Sequence, residues 1–264
     1  MNLLKKVNEK LGVGKKCVLA TVVEKKGDGP LETGGKLLLD EGFHRLGTIA
    51  GGDLELMIIE KCKEILETKE NQLILYNLSA EVIEEANIDA QMICGGQARI
   101  FFEYFEPKEN LYIYGGAGNV GKEICQKSVG LDFKLHVVDQ FDPNYDFDYL
   151  FHKGHDSLEK ESFKPNDYHV IATGSHQVDY EILKNLMGKD ISYKYLGMLA
   201  SEKKIQELLN RLKEDLDKQP RKIFSPIGLN IGGPTPPEIA ISVLSQIQSI
   251  KYNINKIEDL GVIQ

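Results

Sequence analysis

The chain has 264 residues, enough for one large domain or two modest ones, and its 42% hydrophobic and 27% charged content is ordinary for a globular protein. A formal net charge of −8 disfavours nucleic acid or an anionic membrane as the main partner. No apolar run approaches the roughly 20 residues a membrane helix needs, and the first residues lack the apolar core of a signal peptide, so a cytoplasmic protein is expected.

Residues 2–12 predict a short amphipathic helix. Residues 17–24 are rich in β-branched side chains and predict a strand. Glycine turns follow at 27–30 and 33–35, then a hairpin of strands at 36–40 and 45–50. Gly51 and Gly52 open a helix over 53–68, with apolar Leu54, Met57, Ile58, Cys62, Ile65 and Leu66 at helical spacing. Asp53 and Glu55 in its first turn suit the helix dipole. Strands are expected at 72–78 and 98–105, and the polar break at 107–110 marks a domain boundary. Residues 1–106 thus read as a smaller α+β domain with three glycine loops, at 27–35, 51–52 and 94–96. Such loops serve either as tight turns or as places where backbone amides approach a ligand.

Residues 107–264 read as α/β with a Rossmann-like parallel sheet. An apolar strand at 111–114 runs into a G-x-G-x-x-G formed by Gly116, Gly118 and Gly121. A helical pattern follows, then a strand at 134–139 closed by Asp139, 18 positions after Gly121. In this reading Gly116 makes the tight turn, Gly118 admits a pyrophosphate and Gly121 lets the helix pack on the strand. Asp139 would accept from a ribose hydroxyl, and the helix N-terminus would offer free amides to the anion. Residues 140–148 read as an aromatic-acidic loop, followed by a polar stretch to 164. Strands at 168–173 and 193–196, a helix after Asp179 running through Met187, a helix over 202–216 and a last helix over 237–250 complete the alternation.

Ligands bind at the carboxyl ends of strands in an open parallel sheet. The loops there carry His176, Asp179, Ser201 and Lys204, which are placed to converge on the glycine loop. His176 reads as a proton carrier or metal ligand, or as a loop residue bonding backbone. Ser201 reads as a helix cap, and Lys204 as a phosphate contact or a solvated helix position. The four cysteines, Cys17, Cys62, Cys94 and Cys125, form no C-x-x-C and no zinc-ligand spacing. Cys94 stands apart, beside Gly95 and Gly96.

Several stretches together resemble the XdhC/CoxI family, the accessory proteins of xanthine and carbon monoxide dehydrogenases. In the N-terminal part they are residues 20–23, Gly29-Pro30, Gly34, residues 47–52, Glu55 and residues 94–96. In the C-terminal part they are residues 116–121, His176 with Asp179, residues 195–201 with Lys204, residues 226–232 and residues 235–240. The resemblance implies a non-catalytic chaperone that binds molybdenum cofactor, as molybdopterin or its dinucleotide, through the glycine loop, Asn119, Asp139 and the later loops. It implies that the cofactor is sulfurated and inserted into a molybdenum hydroxylase such as xanthine dehydrogenase, with a cysteine desulfurase as sulfur donor and a homodimer as the working form. Gly51, Gly52, Asp53 and Cys94 are implied as a second part of the binding surface.

Three positions depart from the family. Asp53 stands where its second loop usually has cysteine, Leu31 where it has arginine, and Asn119 where its glycine motif often has histidine. Cys94 is therefore left as the candidate thiol. An NAD(P)-dependent oxidoreductase built on the same βαβ unit is the competing reading.

Overall fold

The computed structural model describes residues 2–79, 86–90, 95–158, 163–188, 192–216, 222–254 and 256. It divides after Pro107 into two units, Met1–Pro107 and Lys108–Gln264.

The first unit is built on a six-stranded sheet. Helix α1 (Leu3–Gly12) leads into β1 (Cys17–Lys26), β2 (Lys36–Asp40) and β3 (Arg45–Thr48). Helix α2 (Gly52–Thr68) follows, then β4 (Gln72–Asn77), β5 (Ile88–Asp89) and β6 (Gln97–Phe105). The strand order is β3-β2-β1-β6-β4-β5, antiparallel except for β4 with β5. Alternation along the strands sorts the side chains. Val18, Ala20, Ile74, Tyr76, Ile100 and Phe102 share one buried cluster with Leu54, Ile58, Cys62 and Ile65 of α2. Leu19 and Leu38 point the other way and meet Leu3 and Val7 of α1.

The register puts the three glycine loops at one end of this sheet. Lys26 pairs with Gln97, Asn77 with Gln97, and Lys36 with both Thr21 and Thr48. The β1–β2 loop, the entry to α2 and the entry to β6 therefore share that end. At Gly96 (φ +99°) a Cβ would stand 2.3 Å from the Lys26 carbonyl oxygen, so the first and third loops touch.

The second unit alternates strand and helix. Its elements are β7 (Glu109–Tyr114), α3 (Asn119–Ser128), β8 (Phe133–Asp139), β9 (Leu150–Lys153), β10 (Tyr168–Ile171), α4 (His176–Gly188), β11 (Tyr195–Met198), α5 (Glu202–Leu216) and α6 (Pro236–Lys251). All five strands are parallel, in the order β11-β10-β7-β8-β9. Numbered within the unit and read from β11, the order runs 5-4-1-2-3, with the topological switch between β7 and β10. Leu111 and Ile113 of β7 face α3 and α6, while Tyr112 and Tyr114 face α4 and α5. Both faces of the sheet are thus covered, as a parallel sheet requires.

Two expectations shift. The polar stretch before residue 164 contains β9, a short edge strand whose Leu150 is exposed, so it lacks the apolar run that marks a buried strand. β11 runs two residues later than expected and includes Gly197. A Cβ there would come within 2.5 Å of Ile227 and of the Tyr195 hydroxyl, so this glycine serves close packing inside a strand, not a loop.

Candidate functional site

The glycine loop sits at the switch point. β7 ends at Tyr114, and the turn is made by Gly115 at φ +84°, not by Gly116 as the motif alone suggests. A Cβ on Gly115 would lie 2.5 Å from the Ala172 carbonyl oxygen, so the turn rests on the segment leaving β10. Gly116 is instead required by packing, since its Cβ would come 2.6 Å from Val137. A Cβ on Gly121 would meet the Gly115 carbonyl oxygen at 2.0 Å, which seats α3 directly on the turn. Gly118 precedes the helix in extended conformation, and no side chain caps it. The first-turn amides of Asn119, Val120 and Gly121 have no carbonyl within the helix to bond. Gly118 and Asn119 are exposed, so this end of the dipole faces solvent.

Asp139 closes β8 beside this loop. Its Oδ2 accepts from the Ala117 amide at 3.0 Å, and its Oδ1 accepts from Gln140 at 2.7 Å and Phe141 at 3.3 Å. Asp139 therefore stands beside the glycine loop and fixes it. Tyr145 supplies a second tie that sequence reasoning missed, its hydroxyl donating to the Gly116 carbonyl at 2.6 Å. Burial, then the neighbouring Cys125 thiol, push this phenol above its ordinary range, so it stays a donor. Tyr145 stacks on Phe147 at 4.7 Å and meets Tyr149 edge-on at 5.5 Å. The available signal was three aromatics within five residues, beginning six positions after Asp139.

The loops after β10 and β11 form a second group at the same edge. Asp179 is buried, takes Thr173 Oγ1 at 2.5 Å, and pairs with Lys204 Nζ at 2.7 Å. These two residues thereby join α4 to α5. Ser201 Oγ accepts from the Lys204 amide at 3.3 Å, the capping role expected of it. His176 is exposed at the first position of α4. Asp179, Lys204 and Ser201 are brought together, and Thr173, missed in the sequence, links them to the segment against which Gly115 packs.

In the first unit, Gly51, Gly52 and Asp53 are exposed at the start of α2. Glu55, read from sequence as a dipole partner and as one of the positions that carry the resemblance, is buried. Its carboxylate accepts from the amides of Ile49 at 3.2 Å and Ala50 at 3.3 Å, from the Thr48 hydroxyl, and pairs with Arg45. Burial raises its pKa, but the bonds from Thr48, Ala50 and Ile49 and the Arg45 charge outweigh that and hold it low. Glu55 therefore fixes the loop ahead of α2. Leu31, in place of the family's arginine, is buried in the core of the same unit.

Cys94 lies outside the described residues. Cys17, Cys62 and Cys125 are buried, and burial pushes their thiols up to about 11, 12 and 12. At neutral pH they are unreactive core residues. Among the described residues no group of three or more His, Cys, Asp or Glu is arranged to hold a metal ion, and no helix is long and apolar enough to cross a membrane.

Two family models match the chain. The XdhC Rossmann domain covers residues 111–247, and the XdhC and CoxI family model covers residues 11–77. A protein of Escherichia coli K12 known as uncharacterized protein YqeB is 30% identical over 246 residues, 89% of this chain and 43% of its own length. A probable xanthine dehydrogenase subunit of Bacillus subtilis 168 is 30% identical over 156 residues, 56% of this chain and 44% of its own length. The chain thus matches less than half the length of either relative. A solved chain described as a xanthine dehydrogenase from Bacillus halodurans shares the fold, with TM-score 0.50, 21% identity and 98% of each chain covered.

Proposed function

Because the chain belongs to the XdhC and CoxI family, we propose that it carries molybdenum cofactor as cargo and serves the maturation of a molybdenum hydroxylase such as xanthine dehydrogenase. The observation that carries this reading is the glycine loop at the switch point of the five-stranded parallel sheet. Its donor set suits the cargo's phosphate end. The amides of Asn119, Val120 and Gly121 hold a diphosphate, and Gly118 gives it access to the backbone. Asp139 takes a ribose hydroxyl, because a carboxylate has acceptor sites beyond the bonds it makes here.

The three buried cysteines do not suit sulfur transfer, so Cys94 is proposed as the thiol that contacts the molybdenum centre or carries sulfur to it. The exposed start of α2, at Gly51, Gly52 and Asp53, is proposed as a further contact for cargo or hydroxylase. The chain itself acts as a carrier and catalyses no turnover. The Bacillus subtilis relative, described as a probable xanthine dehydrogenase subunit, supports the choice of partner.

The same amides and Asp139 suit NAD(P), which keeps the oxidoreductase as the rival. The two separate on the small molecule that co-purifies after anaerobic expression beside the hydroxylase. Mass spectrometry is expected to find a molybdopterin species. NAD(P) alone would transfer the site to the rival reading.

A further inference from the structure

We infer that Phe141 is the base-stacking residue of the glycine-loop site, so that the ligand is a ribonucleoside diphosphate ester and not a bare pterin phosphate. This rests on the nucleotide reading above. At 79% exposure, Phe141 is the most exposed large hydrophobic side chain among the described residues. Its backbone is anchored beside the glycine loop. Its amide and that of Ala117 in the glycine loop bond to the two oxygens of the same Asp139 carboxylate. The loop that bears it is tied to the glycine loop a second time, through Tyr145 and the Gly116 carbonyl. Tyr145, Phe147 and Tyr149 of the same loop pack against the core, whereas Phe141 does not.

The order of groups matches a nucleotide. Phosphate donors come first in α3, then the acid that suits a ribose, then an aromatic face two residues on. In a ribonucleotide the ribose likewise lies between phosphate and base. Asp142, Asp146 and Asp148 follow Phe141 in sequence, and Asp142 is held in the loop by Asn144 and Tyr149. Such acidic company repels a second phosphate but leaves a neutral base free to stack. Every base presents a π-face, so Phe141 recognises the presence of a base more than its identity.

The test is calorimetry on the full chain with ADP, CDP and inorganic pyrophosphate. Phe141→Ala should bind both nucleotides about tenfold more weakly, the scale of one lost stacking contact. It should bind pyrophosphate like the parent, and Phe141→Trp should keep nucleotide affinity. A Phe141→Ala protein with unchanged ADP and CDP affinity overturns the inference and leaves the nucleotide reading standing. A parent protein that binds none of the three overturns both.

Discussion

Glu55 has an effect out of proportion to its place in the sequence. It satisfies two backbone amides, a hydroxyl and a guanidinium from one buried carboxylate. Glu55→Ala leaves those amides without a partner and is expected to cost about 2–4 kcal/mol in urea unfolding. A cost under about 0.5 kcal/mol would mean that the loop before α2 is held by something else. The buried histidines give a second residue-scale expectation. His136 and His169 flank Tyr112, with ring centroids 4.2 and 5.0 Å from it. Burial first, then the neighbouring cationic groups, lower each from 6.5 to about 3. The unfolded chain therefore takes up protons that the fold refuses. Stability should fall as pH drops from about 6.5 towards 3, by up to about 1.4 kcal/mol per pH unit for each histidine. Melting temperatures at pH 7 and pH 5 check this, and His169→Phe should flatten the slope. A parent melting point equal at both values would contradict it. Neither role was legible in the sequence. Glu55 stood out in the sequence through the family resemblance and its place in a first helical turn, neither of which reveals its bonds to the loop, and burial of a histidine shows only once strands β8 and β10 are paired through β7.

At the scale of elements, the βαβ unit was readable because its signals are local. An apolar strand, three glycines, a helical period and a terminal acid all fall between Glu109 and Asp139. What was not readable is which glycine does what. The turn falls on Gly115, outside the motif, because φ +84° and the approach of Ala172 are tertiary facts. Gly121→Ala drives a Cβ to 2.0 Å from backbone and should cost more than about 2 kcal/mol or prevent folding. At Gly118 the nearest atom, the Gly115 carbonyl oxygen, is 3.2 Å away, a contact that a shift of a few tenths of an ångström relieves, so Gly118→Ala should cost far less than Gly121→Ala. Thermal melting of the two variants distinguishes these outcomes, and equal melting points would mean that α3 does not seat on the turn. β9 escaped notice for the opposite reason, since an exposed edge strand has no apolar signature.

At the scale of the whole molecule, alternating strands and helices announced a parallel sheet, but strand order came only from the fold. A single sequence does not pair strands, so the order of the parallel sheet and the placing of the glycine loops at one end of the other sheet were hidden. That other sheet bears on assembly. Leu73, 53% exposed, pairs with half-buried Phe101 on the face opposite α2. This strip suits a homodimer, and sedimentation at micromolar concentration should show about twice the 29.6 kDa chain mass. A single species of chain mass would contradict that.

If the glycine loop holds the phosphate end of a nucleotide-bearing cargo, Gly118→Val should break that hold. The backbone there is extended, and a Cβ would stand 3.2 Å from the Gly115 carbonyl oxygen, so a small shift of the turn admits the side chain, a melting curve establishes that the variant is folded, and the loop loses its access for a diphosphate. Calorimetry with molybdopterin dinucleotide is expected to show binding to the parent protein and at least about tenfold weaker binding to a folded Gly118→Val variant. Equal affinity of the two proteins would contradict the claim.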